Sequence, residues 1–357
     1  MTQTKKTGKI RWGLMGAGLI VSRWINGARQ LEDEMEIAAV ASRSEATARG
    51  AAERYGIPEA LSYEALARRE DIDAVYIPVP HPAHRALAQL AMEHGKAVLV
   101  EKPAAVNTAE WDAMTACAGE NGVFLMEAAW TRFFPLMRKL REWMAGPAGP
   151  VRAVNVAFSS RTPADEETLR GRVFNPALAG GGLLDLGVYN LHFCDALFGR
   201  APEAITGYAA MDTDGHRIKV DEQAVYIAKY AGGALAQMAS GVRTNMKDTA
   251  FVYGTEGYAE IPVFWKPTRM KLITGGREET VAEPVPQKNP AFVDEGFQYE
   301  IAHVNDCLRR GLTASPVLPP EATRRVLGEA DALRRQWGLI FPFEREEQLG
   351  GTEFTGC

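Results

Sequence analysis

At 357 residues, 46% hydrophobic and 24% charged, the chain is longer than one hydrophobic core usually serves and suits two domains. That apolar fraction excludes general disorder, and a formal net charge of −5 argues against nucleic acid or an acidic membrane as partner. No stretch reaches the roughly 18 uncharged apolar residues that a membrane span needs. The basic start (Lys5, Lys6, Lys9, Arg11) reads as a solvated arm, and its polarity is unlike a secretory signal. Cys117, Cys194, Cys307 and Cys357 sit at no metal or redox spacing, so no metal site and no disulfide framework is expected, and a reducing cytoplasm is the expected setting.

The first third alternates between strand and helix. Ile10 to Met15 is an apolar strand running into glycines, followed by a helix from about Leu19 to Leu31 and a second strand from Met35 to Ala41. Ser44 to Tyr55 reads as a helix closed by Gly56. Ala74 to Val79 is a third strand, His84 to His94 a helix, Ala97 to Val100 a fourth strand, Thr108 to Asn121 a helix and Val123 to Glu127 a fifth strand. Nearly all-apolar strands joined by helices imply right-handed crossovers and a parallel sheet covered on both faces.

The pattern changes at the Gly/Pro-rich stretch from Ala145 to Pro150. Strand-like segments follow at Val151–Ser160, Ala204–Met211, Gln223–Tyr230, Ala234–Val242, Ala250–Tyr253, Tyr258–Ile261 and Met270–Ile273, separated by turn signals such as Gly232-Gly233. They predict a large, mainly antiparallel sheet, with helices at Phe297–Arg310 and Pro320–Trp337 over one face. A second subunit on the other face would make a homodimer, or a dimer of dimers. The expected fold is thus an α/β Rossmann domain over residues 1–129 and an α+β domain over 130–357 for substrate and oligomerisation.

Gly16-Ala17-Gly18 lies where the first strand meets the first helix. Glycines there let a pyrophosphate approach the backbone and the N–H groups of Leu19 and Ile20 at the helix start. The third position of the usual pattern holds Val21, and a bare GAG also punctuates ordinary turns; its place between strand and helix favours the nucleotide reading. The second strand ends Ser42-Arg43 without the acid that contacts an NAD ribose. Those two side chains suit a 2′-phosphate, so NADP is expected, with NAD as the alternative. A solvated loop arginine is the plain reading of Arg43.

Glu101-Lys102-Pro103 follows a buried strand, and in such sheets the carboxyl ends of strands face the ligand crevice. Proline should hold Lys102 extended. Further on, Gly180-Gly181-Gly182 implies close backbone approach and precedes a helix on which Asp185 and Tyr189, four apart, share a face. A phenol is a poor base at a pKa of about 10, and an ammonium such as Lys102 beside it would lower that value. Equally, the helix packs through Leu184, Val188 and Leu191 with Asp185 as a cap.

The GxG turn, the Glu-Lys-Pro turn and the GGGxLxDxGxY segment, in that order, resemble the glucose–fructose oxidoreductase / inositol dehydrogenase (Gfo/Idh/MocA) family. Residues 126–135 (MEAAWTRFFP) and 80–84 (PHPAH) resemble its dihydrodiol and xylose dehydrogenase branch, and the likeness runs from about Ile10 to Phe341. The resemblance implies hydride transfer between a nicotinamide cofactor and the carbinol or carbonyl carbon of a sugar, polyol or trans-dihydrodiol. It implies Lys102 as the catalytic lysine, Tyr189 as general acid/base and Asp185 as orienting group. Pro80, His81, His84 and Glu101 would join the coenzyme contacts, and Arg43 would meet the 2′-phosphate. Thr47 departs from the branch, standing where it has a second arginine. Trp130 and Trp265 could wall the substrate or equally be core tryptophans, and Arg172 could bind substrate hydroxyls; His192 reads as structural. Two other functions remain within the fold: a non-catalytic sugar sensor and a glycosidase with a resident nicotinamide. The pairing of Lys102 with Tyr189 favours the dehydrogenase.

Overall fold

Six nearly all-apolar strands gather into one parallel sheet in the computed structural model, which describes residues 8–213 and 215–344. Lys5, Lys6 and Cys357 lie outside the described residues. The order along the chain is β1 (Ile10–Met15), α1 (Val21–Ala28), β2 (Met35–Ala41), α2 (Glu45–Tyr55), β3 (Glu59–Leu61), α3 (Tyr63–Ala67), β4 (Ala74–Ile77), α4 (His84–Glu93), β5 (Ala97–Glu101), α5 (Thr108–Asn121) and β6 (Leu125–Ala128). The sheet runs β3-β2-β1-β4-β5-β6, so the strand order reverses between β1 and β4, the crevice where a doubly wound sheet binds its ligand.

The expected helices form, with one shorter than predicted. Residues 19 and 20 make a turn in which the Val21 amide donates to the Gly18 carbonyl (3.1 Å), and α1 stops at Ala28. α2 is capped by Ser44, whose Oγ accepts from the Thr47 amide (3.1 Å), and closes on Gly56 at φ +63°. The β3–α3 pair was not expected, because three residues with a charged, exposed Glu59 carry no alternation.

The second half comprises α6 (Pro135–Ala145), β7 (Val151–Ser159), α7 (Glu166–Arg170), a π-helical turn (Leu183–Gly187), α8 (Val188–Phe198), β8 (Ala204–Ala210), β9 (Gln223–Lys229), β10 (Leu235–Gly241), β11 (Thr249–Gly254), β12 (Gly257–Pro262), β13 (Arg269–Thr274), β14 (Arg277–Ala282), α9 (Phe297–Arg309) and α10 (Pro320–Trp337). Its eight strands are ordered β14-β13-β12-β11-β7-β10-β9-β8. All neighbours are antiparallel except β7 and β10, which run parallel in the middle of the sheet. β14, half charged and mostly exposed, escaped the sequence reading because an edge strand needs no apolar face.

One sheet face is buried: Val154, Val156, Tyr226, Met238, Val252 and Ile261 belong to the core. α8 and α10 lie on this face, and the Trp337 indole donates to the Gly207 carbonyl (3.0 Å). α10 also reaches the parallel domain, where Leu327 enters the core around α5 and Asp331 accepts from Thr108. On the opposite face Tyr208, Val225, Ile227 and Leu235 are exposed. Cys117, Cys194 and Cys307 are buried and unpaired. Among the described residues no helix is long and apolar enough to cross a membrane, and no cluster of metal-ligating side chains occurs.

Candidate active site

The crevice at the strand reversal is built from backbone that approaches backbone. Gly16, at φ +138°, follows β1, and a Cβ there would lie 2.8 Å from Val79 and 3.0 Å from the Pro78 carbonyl. A Cβ on Gly18 would also meet that carbonyl, at 3.0 Å. The turn therefore excludes a side chain at Gly16, leaves little room for one at Gly18, and forms a cradle at the start of α1. The amides of Leu19 and Ile20 donate to no protein acceptor among the described residues, while the Leu19 side chain points to solvent. Unengaged amides at a helix N-terminus are what a pyrophosphate requires, so the turn fits a dinucleotide. At the end of β2, Arg43 is exposed and Ser42 half-buried, with the Tyr63 phenol beneath them. Thr47 is engaged in the α2 cap, its hydroxyl 2.7 Å from Ser44 Oγ.

β5 ends in Glu101, whose carboxylate accepts from the Tyr76 hydroxyl (2.5 Å) and from the Lys102 amide (3.0 Å). The Lys102–Pro103 peptide is cis. The Lys102 ammonium points across the crevice to the π-helical turn. There it donates to the Asp185 carbonyl (2.5 Å), lies 3.3 Å from Asp185 Oδ1, and stands 4.9 Å from the Tyr189 ring centre. Arg172 reaches the same carboxylate, donating to Oδ1 at 2.8 Å and to Oδ2 at 3.3 Å. Asp185 is therefore a hub between two cations. It occupies a π-helical turn, not the regular helix face expected from the i, i+4 spacing, and such turns are frequent at functional sites.

These contacts set the charge states. Burial would raise the Asp185 pKa, but Lys102 and Arg172 outweigh it and hold the carboxyl well below its usual range. Burial opposes the charge on Lys102, yet Tyr189 and Asp185 overcome it and keep the ammonium protonated. Two cations, Lys102 and Arg172, and two carboxylates, Asp185 and Glu101, all act on Tyr189 and its neighbours. Burial pushes the Tyr189 phenol above 10, with Lys102 pulling the other way. The expectation that Lys102 brings the phenol below its ordinary pKa is thus corrected: the ammonium only offsets part of the burial effect. No direct hydrogen bond joins them either. The Tyr189 oxygen accepts instead from the Trp130 indole (3.2 Å). An indole N–H can only donate, so the Tyr189 hydrogen stays available for a ligand.

Trp130 is 97% buried (3% exposed) and stacks on Phe297 with ring centres 4.4 Å apart. Its indole joins it to Tyr189, a contact that the sequence did not signal. Trp265 is half-buried, stacked on Phe158 (5.3 Å) and tied to Asp248 through its indole (3.1 Å). Phe158 meets Tyr189 edge-on at 5.1 Å. His81 Nδ1 donates to the Ala179 carbonyl (3.2 Å), and burial together with His84, Arg172 and Lys102 keeps the ring neutral, its pKa far below the ordinary value. His84 is fully buried, with both ring nitrogens on backbone carbonyls, those of Val79 (2.9 Å) and Pro103 (3.0 Å). It fastens the loop after β4 to the Glu-Lys-Pro turn from behind. His192 lies 3.0 Å from Glu127, whose other oxygen accepts from the Ala104 amide, a brace under the same turn. Tyr76 and Phe158 gave no sequence signal beyond apolar strand pattern, and Glu127 none beyond its place in the segment 126–135.

Residues 10–129 match the oxidoreductase family with an NAD-binding Rossmann fold, and residues 137–260 match the GFO/IDH/MocA C-terminal domain. The chain belongs to the Gfo/Idh/MocA family. It is therefore an oxidoreductase whose first domain binds a nicotinamide dinucleotide. The chain is 37% identical to trans-1,2-dihydrobenzene-1,2-diol dehydrogenase of Bos taurus over 342 residues, 94% of this chain and 99% of that one. The Homo sapiens enzyme of that name is 34% identical with the same coverage. Among solved structures, the aldose–aldose oxidoreductase of Caulobacter crescentus, complexed with glycerol, superposes with a TM-score of 0.81 at 25% identity, covering 92% of this chain and 97% of that one. A 3-ketoreductase of Actinomadura kijaniata, in complex with NADP and TDP-benzene, shares the fold with a TM-score of 0.79 at 24% identity, over 92% of this chain and 97% of that one.

Proposed function

We propose that this chain is an NADP-dependent dehydrogenase that interconverts a secondary or anomeric hydroxyl and its carbonyl on a sugar or trans-dihydrodiol, with Tyr189 as general acid/base and Lys102 as its electrostatic partner. The observation that carries the reading is the convergence of Lys102, Asp185, Arg172 and Tyr189 at the carboxyl end of β5, beside the cradle at Gly16 and Gly18. The cradle, the amides of Leu19 and Ile20, and Ser42 and Arg43 would hold the dinucleotide, with Pro80, His81 and Glu101 along the crevice. When bound, the nicotinamide supplies the hydride acceptor or donor; the protein supplies position and proton.

The substrate oxygen would sit between the Tyr189 hydroxyl and the Lys102 ammonium. In oxidation the Tyr189 phenolate takes the hydroxyl proton, with the Trp130 indole still donating to its oxygen and Lys102 offsetting its charge. In reduction the same oxygen returns the proton. Arg172, anchored on Asp185 yet partly exposed, is placed for neighbouring hydroxyls, and the Phe158–Trp265 stack offers an apolar flank to a flat or ring-shaped substrate. The curated relatives named for trans-dihydrobenzenediol and the structure crystallised with glycerol support this substrate class.

The test is cofactor reduction at 340 nm with NADP⁺ and NAD⁺ against aldoses and trans-dihydrodiols. Turnover with one class names the substrate; dinucleotide binding without turnover across the panel overturns the dehydrogenase reading. Removing a charge-assisted contact to a phosphate costs about 1.5–3 kcal/mol. Arg43→Ala should therefore raise the NADP⁺ Kd at least about 10-fold while leaving NAD⁺ unchanged, measured by fluorescence titration.

We also infer a homodimer formed through the open face of the large sheet. Tyr208 is 89% exposed, with Ile227 at 52% and Leu235 at 54% on adjacent strands, an apolar patch that water does not favour. Ile227→Asp should halve the mass measured by light scattering at micromolar concentration.

A further inference from the structure

The triple glycine before the π-helical turn has a partner far along the chain. Gly181, at φ +117°, leaves space that a Cβ could not share: it would fall 2.2 Å from Asp221 Oδ1. Asp221 is 1% exposed and stands just ahead of β9. Its Oδ2 accepts from the Leu183 amide at 2.6 Å, and its own carbonyl accepts from the Gly182 amide at 2.8 Å. Leu183 is the first residue of the π-helical turn whose third residue, Asp185, holds Lys102 and Arg172. Amides at the start of a helix have no acceptor within it and need one from elsewhere.

We propose that Asp221 is a positioning residue for the reaction: by holding the Leu183 and Gly182 amides it fixes the rotation of the π-helical turn, and so the direction in which Asp185 presents the Lys102 ammonium to Tyr189. The glycine at 181 exists to admit that carboxyl. A 1 Å displacement of a group that orients a reacting partner costs about 100-fold in rate. Asp221 touches the turn and not the cradle at Gly16 and Gly18, so its effect falls on kcat and not on dinucleotide binding. An amide oxygen accepts from Leu183 as a carboxylate oxygen does, so asparagine replaces it in shape and in function.

The inference rests on the dehydrogenase reading, and its test separates the two. In the full-length protein, Asp221→Ala should lower kcat about 100-fold with the NADP⁺ Kd unchanged within twofold, and Asp221→Asn should restore kcat to within about threefold of the parent. Gly181→Ala, which keeps the carboxyl but displaces it, should reproduce the loss. Independently of any activity or variant, the Leu183 amide of the parent protein should exchange with deuterium as slowly as the core strands. Exchange at a loop rate, or an unchanged kcat in Asp221→Ala while Tyr189→Phe is inactive, overturns the role of Asp221 alone. Failure of Asn to restore kcat overturns it as well.

Discussion

Tyr189→Phe is expected to lower kcat by about 10³-fold in either direction while leaving the NADP⁺ Kd within twofold of the parent. General acid–base groups contribute about 10²–10⁴-fold. The substitution removes one oxygen and keeps the ring against Phe158 and Lys102, so packing is preserved. The pH dependence gives a second check with a definite sign. The phenol is raised above 10 by burial, so at neutral pH it is protonated. Oxidation needs the phenolate, so kcat/KM should climb tenfold per pH unit and still be rising at pH 9. Reduction needs the phenol and should stay level over that range. Stopped-flow rates against pH would decide: an oxidative limb that levels near pH 7 would assign the proton to another group.

Lys102→Met is expected to be nearly as severe, with kcat down about 10²–10³-fold, because an aligned charge in a water-poor site supports the developing oxyanion. Methionine fills much of the stem's volume and leaves Asp185 paired with Arg172 alone. Without the Lys102 charge, less opposes the burial that raises the Tyr189 phenol, and the oxidative limb should move to still higher pH. Equal damage to kcat and to kcat/KM would mark the ammonium as acting in the transition state; a rise in KM alone would reduce it to a substrate contact.

How much of this was legible in the sequence follows from where each force acts. β1, β2, β4 and β5 are buried on both faces, so their apolar runs declare them, and Gly16 and Gly18 announce a turn with little room for side chains. Lys102, Asp185 and Tyr189 could be named because motifs flank them. Their couplings could not. The bond from Trp130 to Tyr189 spans 59 positions, and that from Leu183 to Asp221 spans 38, with nothing local to mark either. Sequence spacing placed Asp185 on a regular helix face, whereas the tertiary pull of Lys102 and Arg172 is satisfied in a π-helical turn. The parallel pairing of β7 with β10 was equally hidden, because neighbours in a run of strands are expected to meet as hairpins.

α10 closes the first domain from the far end of the chain. Trp111 donates its indole N–H to the Pro320 carbonyl, Thr323 donates to Glu127, and Arg324 pairs with Asp112, so α10 completes the wall around α5 and β6. On the ribosome, the nucleotide-binding sheet emerges about 200 residues before the helix that seals it, at 5–20 residues per second. For some tens of seconds Trp111 and the edge of β6 lie open to water. The finished molecule is consequently stitched shut by α10, and the nascent first domain has an apolar seam until that helix is made.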